Sequence, residues 1–133
     1  MLLDTNIVLH CIRQHIPLPA RTLLSVIVAA ELEVFAYRSN WEMRKRRYSQ
    51  AMREQFSPIE ITDNLIPAYV HLETYSQGRL VALPLPPGLT ARNMGKNDLW
   101  LAATALYFDV ELHTSDNDFD HLGPAGLRVV KPS

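Results

Sequence analysis

The chain has 133 residues, of which 47% are hydrophobic and 20% charged, enough apolar content for one globular domain spanning 1–133 that buries roughly two thirds of its unfolded surface. Its single cysteine, Cys11, excludes an internal disulfide framework and a thiolate-rich zinc site, and no apolar run approaches the roughly 20 residues of a membrane helix, so a soluble cytoplasmic protein is expected. The formal charge of -1 gives no overall attraction to nucleic acid, so any such contact must come from local clustering of basic residues.

The opening residues Met1-Leu2-Leu3 read as a buried strand that delivers Asp4 to a surface, because consecutive apolar residues suit a parallel sheet covered on both faces. Thr5 or Asn6 can cap a short helix from Ile7 to Arg13, which ends before Pro17 and Pro19. Ala20 to Ser25 carries a second strand. Ser25 then caps a helix over Val26 to Arg38 that holds Glu31 within its first two turns. From Trp41 to Phe56 the apolar residues Trp41, Tyr48, Met52 and Phe56 recur at helical spacing along an otherwise polar helix. Pro58 to Thr62 alternates like a strand. A further helix starts at Thr62, Asp63 or Asn64, with Pro67 tolerated in its first turn and Leu65, Tyr69, Leu72 and Tyr75 on one face. Gln77-Gly78 ends it.

The segment Arg79 to Gly95, which contains Pro84, Pro86, Pro87 and Gly88, is longer than an ordinary connection, and loops of that length are usually functional or mobile. Asn97-Asp98 opens an apolar helix to Phe108 whose lack of a polar stripe predicts burial. Glu111 to Thr114 is a strand, Asp116 or Asp118 caps a short helical turn, Gly123 to Gly126 is a turn, and Leu127 to Val130 is the last strand. Strands alternating with helices predict an α/β domain on a mainly parallel sheet.

Such sheets bind ligands beyond the carboxyl ends of their strands, which is where Asp4, Glu31, Asp98 and Asp116 are expected to meet. Clustered carboxylates repel one another, and an oxygen-loving divalent cation such as Mg2+ or Mn2+ at their centre removes that cost. Each acid taken alone could equally be a helix cap. Asp118, two residues after Asp116, is an alternative fourth acid, whereas Glu33 points about 160° away from Glu31 on a helix and belongs to solvent. His10, Cys11 and His15 lack the second cluster that a zinc site needs.

Arg38, Arg44, Lys45, Arg46, Arg47 and Arg53 supply six of the thirteen basic residues within a short stretch, and Arg46 and Arg47 could follow a phosphate backbone. A solvated helix face is the competing explanation. Arg92 and Lys96, close to Asp98, are better placed for phosphate.

The motifs Leu-Leu-Asp4-Thr5-Asn6, Ser25-Val-Ile-Val-Ala-Ala-Glu31-Leu, Asn97-Asp98-Leu-Trp-Leu-Ala-Ala-Thr and Thr114-Ser-Asp116-Asn-Asp118-Phe together resemble those of PIN-domain ribonucleases, and most of all the VapC toxins of toxin-antitoxin systems. That resemblance implies a three-layer α/β/α sandwich on a five-stranded parallel sheet. It also implies Asp4, Glu31, Asp98 and Asp116 as the acidic set, with Thr5, Asn6 and Thr114 supporting them. The implied activity is metal-dependent hydrolysis of RNA, with a cognate antitoxin and a homodimer as the expected partnerships. Two alternatives are weaker. An aspartyl phosphotransferase would need a second acid where Asn6 stands, and a non-catalytic binding module has no use for mutually repelling carboxylates.

Overall fold

A computed structural model describes all of residues 1–133. In chain order the elements are β1 (Leu2–Leu3), α1 (Thr5–Gln14), α2 (Val26–Arg38), α3 (Met43–Phe56), α4 (Ile66–Ser76), α5 (Lys96–Phe108), β2 (Leu112–His113) and β3 (Val129–Val130). A 3-10 turn at Asp63–Leu65 precedes α4, and a longer 3-10 stretch, Asn117–Ala125, lies between β2 and β3.

The sheet is parallel in the order β1-β2-β3, with Leu2 opposite Leu112 and Leu3 opposite His113. It is smaller than the five strands implied by the resemblance. The segments expected as strands over Ala20–Ser25 and Pro58–Thr62 contribute single parallel bridges, Leu2 to Leu23 and Ser25 to Ile59. Their backbone bonds are nonetheless in place: Leu23 N–H donates to the Met1 carbonyl over 2.8 Å and Ile59 N–H to that of Leu24 over 2.8 Å. Leu2, Leu3 and Leu112 are almost wholly buried, as consecutive apolar residues in a covered parallel sheet should be.

Helix boundaries follow the local chemistry with three corrections. The cap of α1 is Asp4 and not Thr5 or Asn6: its side chain accepts the Thr5 N–H, so the helix begins directly at the end of β1. Helix α3 begins at Met43, leaving Trp41 outside the helix but buried. The last 3-10 stretch runs through the expected Gly123–Gly126 turn and ends at Gly126, whose φ of 110° no L side chain adopts comfortably. Elsewhere the local signals hold. Ser25 caps α2 by accepting the Ile27 N–H at 3.0 Å, and Pro67 lies in the first turn of α4.

One cluster of 25 buried apolar residues, from Leu2 to Leu127, draws on the sheet and on helices from both halves of the chain. Helix α5 is its centre. Leu99, Leu101, Ala102, Ala103 and Ala105 are all essentially inaccessible, and burial of each leucine contributes roughly 1.5–3 kcal/mol. Helix α4 packs along α5, and Tyr69 meets Trp100 there with ring centroids 4.2 Å apart. The long loop before α5 is tied down: Leu80, Leu83, Leu85 and Met94 pack on the core, and the Arg92 N–H donates to the Ser76 carbonyl over 2.9 Å.

Candidate active site

Asp4 ends β1, Thr114 follows β2, and the parallel register makes these two residues neighbours. Oδ1 of Asp4 accepts the Thr5 N–H at 2.7 Å, while Oδ2 accepts the Thr114 hydroxyl at 2.7 Å and the Asn6 amide at 3.1 Å. The carboxylate is therefore fixed at both oxygens. Thr114 is fully buried and its hydroxyl oxygen also accepts the Asp116 N–H at 3.0 Å, so one side chain connects the first acid to the loop carrying the last. Asn6 adds a second link by accepting the Ser115 N–H at 3.1 Å.

Glu31 faces the same region from α2, where its Oε1 accepts the Thr5 hydroxyl at 2.8 Å. Asp98 is the third residue of α5, in the first turn, and it is not a cap; Gly95 holds that position without any side-chain bond. Capping thus accounts for one bond of Asp4 and for Asp116, whose Oδ1 accepts the Asp118 N–H at 2.9 Å, but it leaves Asp98 unexplained. Carboxylate oxygens of Asp98, Asp116 and Asp118 all lie within 4.8 Å of one another.

Burial, followed by the charges of Asp4, Asp116, Glu31 and Asp118, pushes the Asp98 carboxyl up from 3.8 to about 6. The amino terminus of a helix normally favours an ionised acid, so desolvation and repulsion here outweigh the dipole. Asp98 consequently senses every other acid in the expected set, and Asp118 besides. An oxygen-only donor group of this kind fits a hard divalent cation.

Beside the acids is a hollow of about 150 Å³ lined by Arg92, Asn93, Met94, Gly95, Asp98 and Asp118. A larger groove of about 360 Å³ shares Thr5 and Glu31 with the site and continues past Val34, Phe35 and Arg38. Lys96, the first residue of α5, and Arg92 are both exposed close to Asp98.

The basic run on α3 lies differently. Arg46 donates from Nε to the Trp41 carbonyl at 3.1 Å and from a terminal nitrogen to the Ala36 carbonyl at 3.2 Å, with its guanidinium over the Tyr37 ring. It thereby ties the end of α2 to α3. Arg47 is exposed, and Glu33, expected in solvent, forms a half-exposed ion pair with Arg53 at 3.3 Å.

Lys131 joins the site's surroundings without any sign of it in the sequence. Its ammonium donates to the Asp116 carbonyl at 2.9 Å and to Asn117 Oδ1 at 2.7 Å, and it pairs with Asp120 at 2.9 Å. It braces the acidic loop from behind, but an isolated lysine near a chain end carries no sequence signal for that role.

The PIN domain family matches residues 1–123. The chain belongs to that family. Its fold is similar to a chain of the VapBC2 complex of Rickettsia felis bound to a promoter DNA fragment, with a TM-score of 0.72 and 22% identity over 98% of this chain and 96% of that one. A chain of FitAcB from Neisseria gonorrhoeae gives a TM-score of 0.71 at 19% identity, covering 96% and 94%. A toxin-antitoxin complex from Klebsiella pneumoniae gives 0.66 at 23% identity, covering 99% and 97%. At these identities the likeness is one of fold. Comparison with curated proteins gives no significant match.

Proposed function

We propose that this chain is a divalent-metal-dependent ribonuclease that hydrolyses RNA phosphodiester bonds and acts as the toxin of a toxin-antitoxin pair. The observation that carries this reading is Asp98, an uncapped and half-buried carboxyl held among four other acids and raised to about 6. A group placed so unfavourably for its own ionisation makes physical sense as part of a cation site. Asp4, Asp98 and Asp116 would hold Mg2+ or Mn2+; Asp118 is within reach as an alternative to Asp116, while Asp4 and Glu31 lie outside the tight group of Asp98, Asp116 and Asp118.

The supporting residues divide the remaining work. Thr114 and Asn6 fix the direction of the Asp4 carboxylate, and Thr5 holds Glu31 so that its other oxygen can orient a water and accept its proton. Bound metal would supply charge neutralisation at the scissile phosphate and a more acidic water. Arg92 and Lys96, exposed at the rim, would draw the substrate backbone toward the acids.

The toxin reading is supported by PIN family membership and by the toxin-antitoxin complexes among the similar structures. A cognate antitoxin covering the acid pocket, and a homodimer, belong to that reading. No helix is long and apolar enough to cross a membrane. The test is cleavage of total RNA with Mn2+ by the purified chain and by Asp4→Asn and Asp98→Asn. Both variants should fold and show at least about a hundredfold less cleavage, on the order expected when one ligand or one charge-stabilising group is lost. Cleavage at the wild-type rate in both would remove the basis for the assignment.

A further inference from the structure

We propose that the hollow lined by Gln77, Arg79, Ala91, Arg92 and Asn93 is a second phosphodiester subsite, which holds the backbone of single-stranded RNA beside the acid pocket. This rests on the ribonuclease reading and extends it to a path for the substrate. The hollow is about 230 Å³ and shares Arg92 and Asn93 with the smaller hollow lined by Asp98 and Asp118, so the two adjoin across these residues. Arg79 and Arg92 are both exposed, and neither takes part in an ion pair; the acids that are paired use Arg53, His113, Arg128 and Lys131. Two guanidinium groups lining one concavity repel each other. A phosphate between them reverses the sign of that interaction and matches their fork of donors. The Gln77 and Asn93 amides add neutral donors on the same wall.

The Arg92 backbone is held in a way that an ordinary surface loop does not require. The carbonyl of Ser76 accepts the Arg92 N–H at 2.9 Å, and the Ser76 hydroxyl donates to the Arg92 carbonyl at 3.1 Å. That hydroxyl also lies 2.8 Å from Nε2 of His121, and both Ser76 and His121 are buried. The hydroxyl can bridge the two by donating to the Arg92 carbonyl and accepting from Nε2–H. Burial and the nearby Arg92 charge lower the pKa of His121 and favour the neutral imidazole, against a smaller opposing pull from Asp118 and Asp120. Both backbone polar groups of Arg92 are thus clamped to α4 while its guanidinium stays free, so gripping an anion costs side-chain rotamer entropy but no further ordering of the loop backbone. The basic run on α3 offers a poorer path, since Arg46 is already committed to two carbonyls.

The experiment uses the full chain without metal and a fluorescent oligouridylate, with affinity measured from low to moderate salt for wild type, Arg79→Gln and Arg92→Gln. Arg79→Gln should weaken binding about five- to tenfold at low salt and flatten the logarithmic salt dependence by roughly 0.7. In cleavage with Mn2+, the same variant should raise KM and leave kcat unchanged, because Arg79 lies apart from the acids. Wild-type affinity and slope in Arg79→Gln, or failure of the wild-type chain to bind the oligonucleotide, would overturn the subsite. If wild type cleaves RNA and Arg79→Gln is silent, the subsite fails while the ribonuclease reading stands. Binding that depends on Arg79 without any cleavage by the wild-type chain would support the subsite and overturn the ribonuclease reading.

Discussion

The hydroxyl of Thr114 donates to Oδ2 of Asp4 over 2.7 Å, joining residues 110 positions apart in the chain. The same oxygen accepts the Asp116 N–H, so the orientation of one acid and the placement of another depend on a single buried side chain. Threonine suits the position because its β-branched shape belongs at a strand end and its hydroxyl can donate and accept together.

Thr114→Val keeps the shape and removes both bonds. It leaves Asp4 Oδ2 short of a donor and the Asp116 N–H without a partner, which should cost about 1–3 kcal/mol. Urea unfolding of wild type, Thr114→Val and Thr114→Ser would show this, with the serine variant retaining most of the stability. Divalent-cation affinity should fall in the valine variant alone. Equal stability and equal cation binding in all three would contradict the role given to Thr114.

Asp98 should make metal-free stability depend on pH. Its folded carboxyl is raised from 3.8 to about 6, so between those values the folded state holds a proton that the unfolded state has released. Asp98 therefore favours folding at low pH, and its contribution is lost as pH rises from about 4 to about 6. In EDTA at neutral pH, Asp98→Asn should melt higher than wild type by roughly 2–5 °C, with the difference vanishing near pH 4. Mn2+ should reverse the order at neutral pH by binding the wild-type acids. A melting difference that stays constant across this range would mean that Asp98 feels no repulsion from its acidic neighbours.

Arg46 and Arg47 are adjacent but should respond differently to substitution. Arg46→Gln removes donors from the Trp41 and Ala36 carbonyls and should destabilise the chain by about 1–3 kcal/mol. Arg47→Gln, at an exposed position, should change stability by less than about 0.5 kcal/mol. Chemical denaturation of the two variants distinguishes them. Similar losses in both would mean that α3 is held by general charge balance and not by the specific contacts of Arg46.

The sequence by itself determined the order of elements, the caps and turns that depend on near neighbours, and the places where acids follow apolar runs. Ser25 and Pro67 act as their local context requires, and the consecutive leucines of β1 are buried as a covered strand demands. These features are set within a few residues, where periodicity and one hydrogen bond decide the outcome. The tertiary structure alone decided that Asp98 is brought among the other acids and that two of the expected strands reduce to single bridges. It also decided that Arg46 faces inward, that Lys131 braces the Asp116 loop, and that Ser76 and His121 clamp Arg92. The physical reason is distance along the chain. Ladder length, the pKa of Asp98 and the partners of Lys131 are fixed by groups from remote segments, brought within a few ångströms only when the core forms.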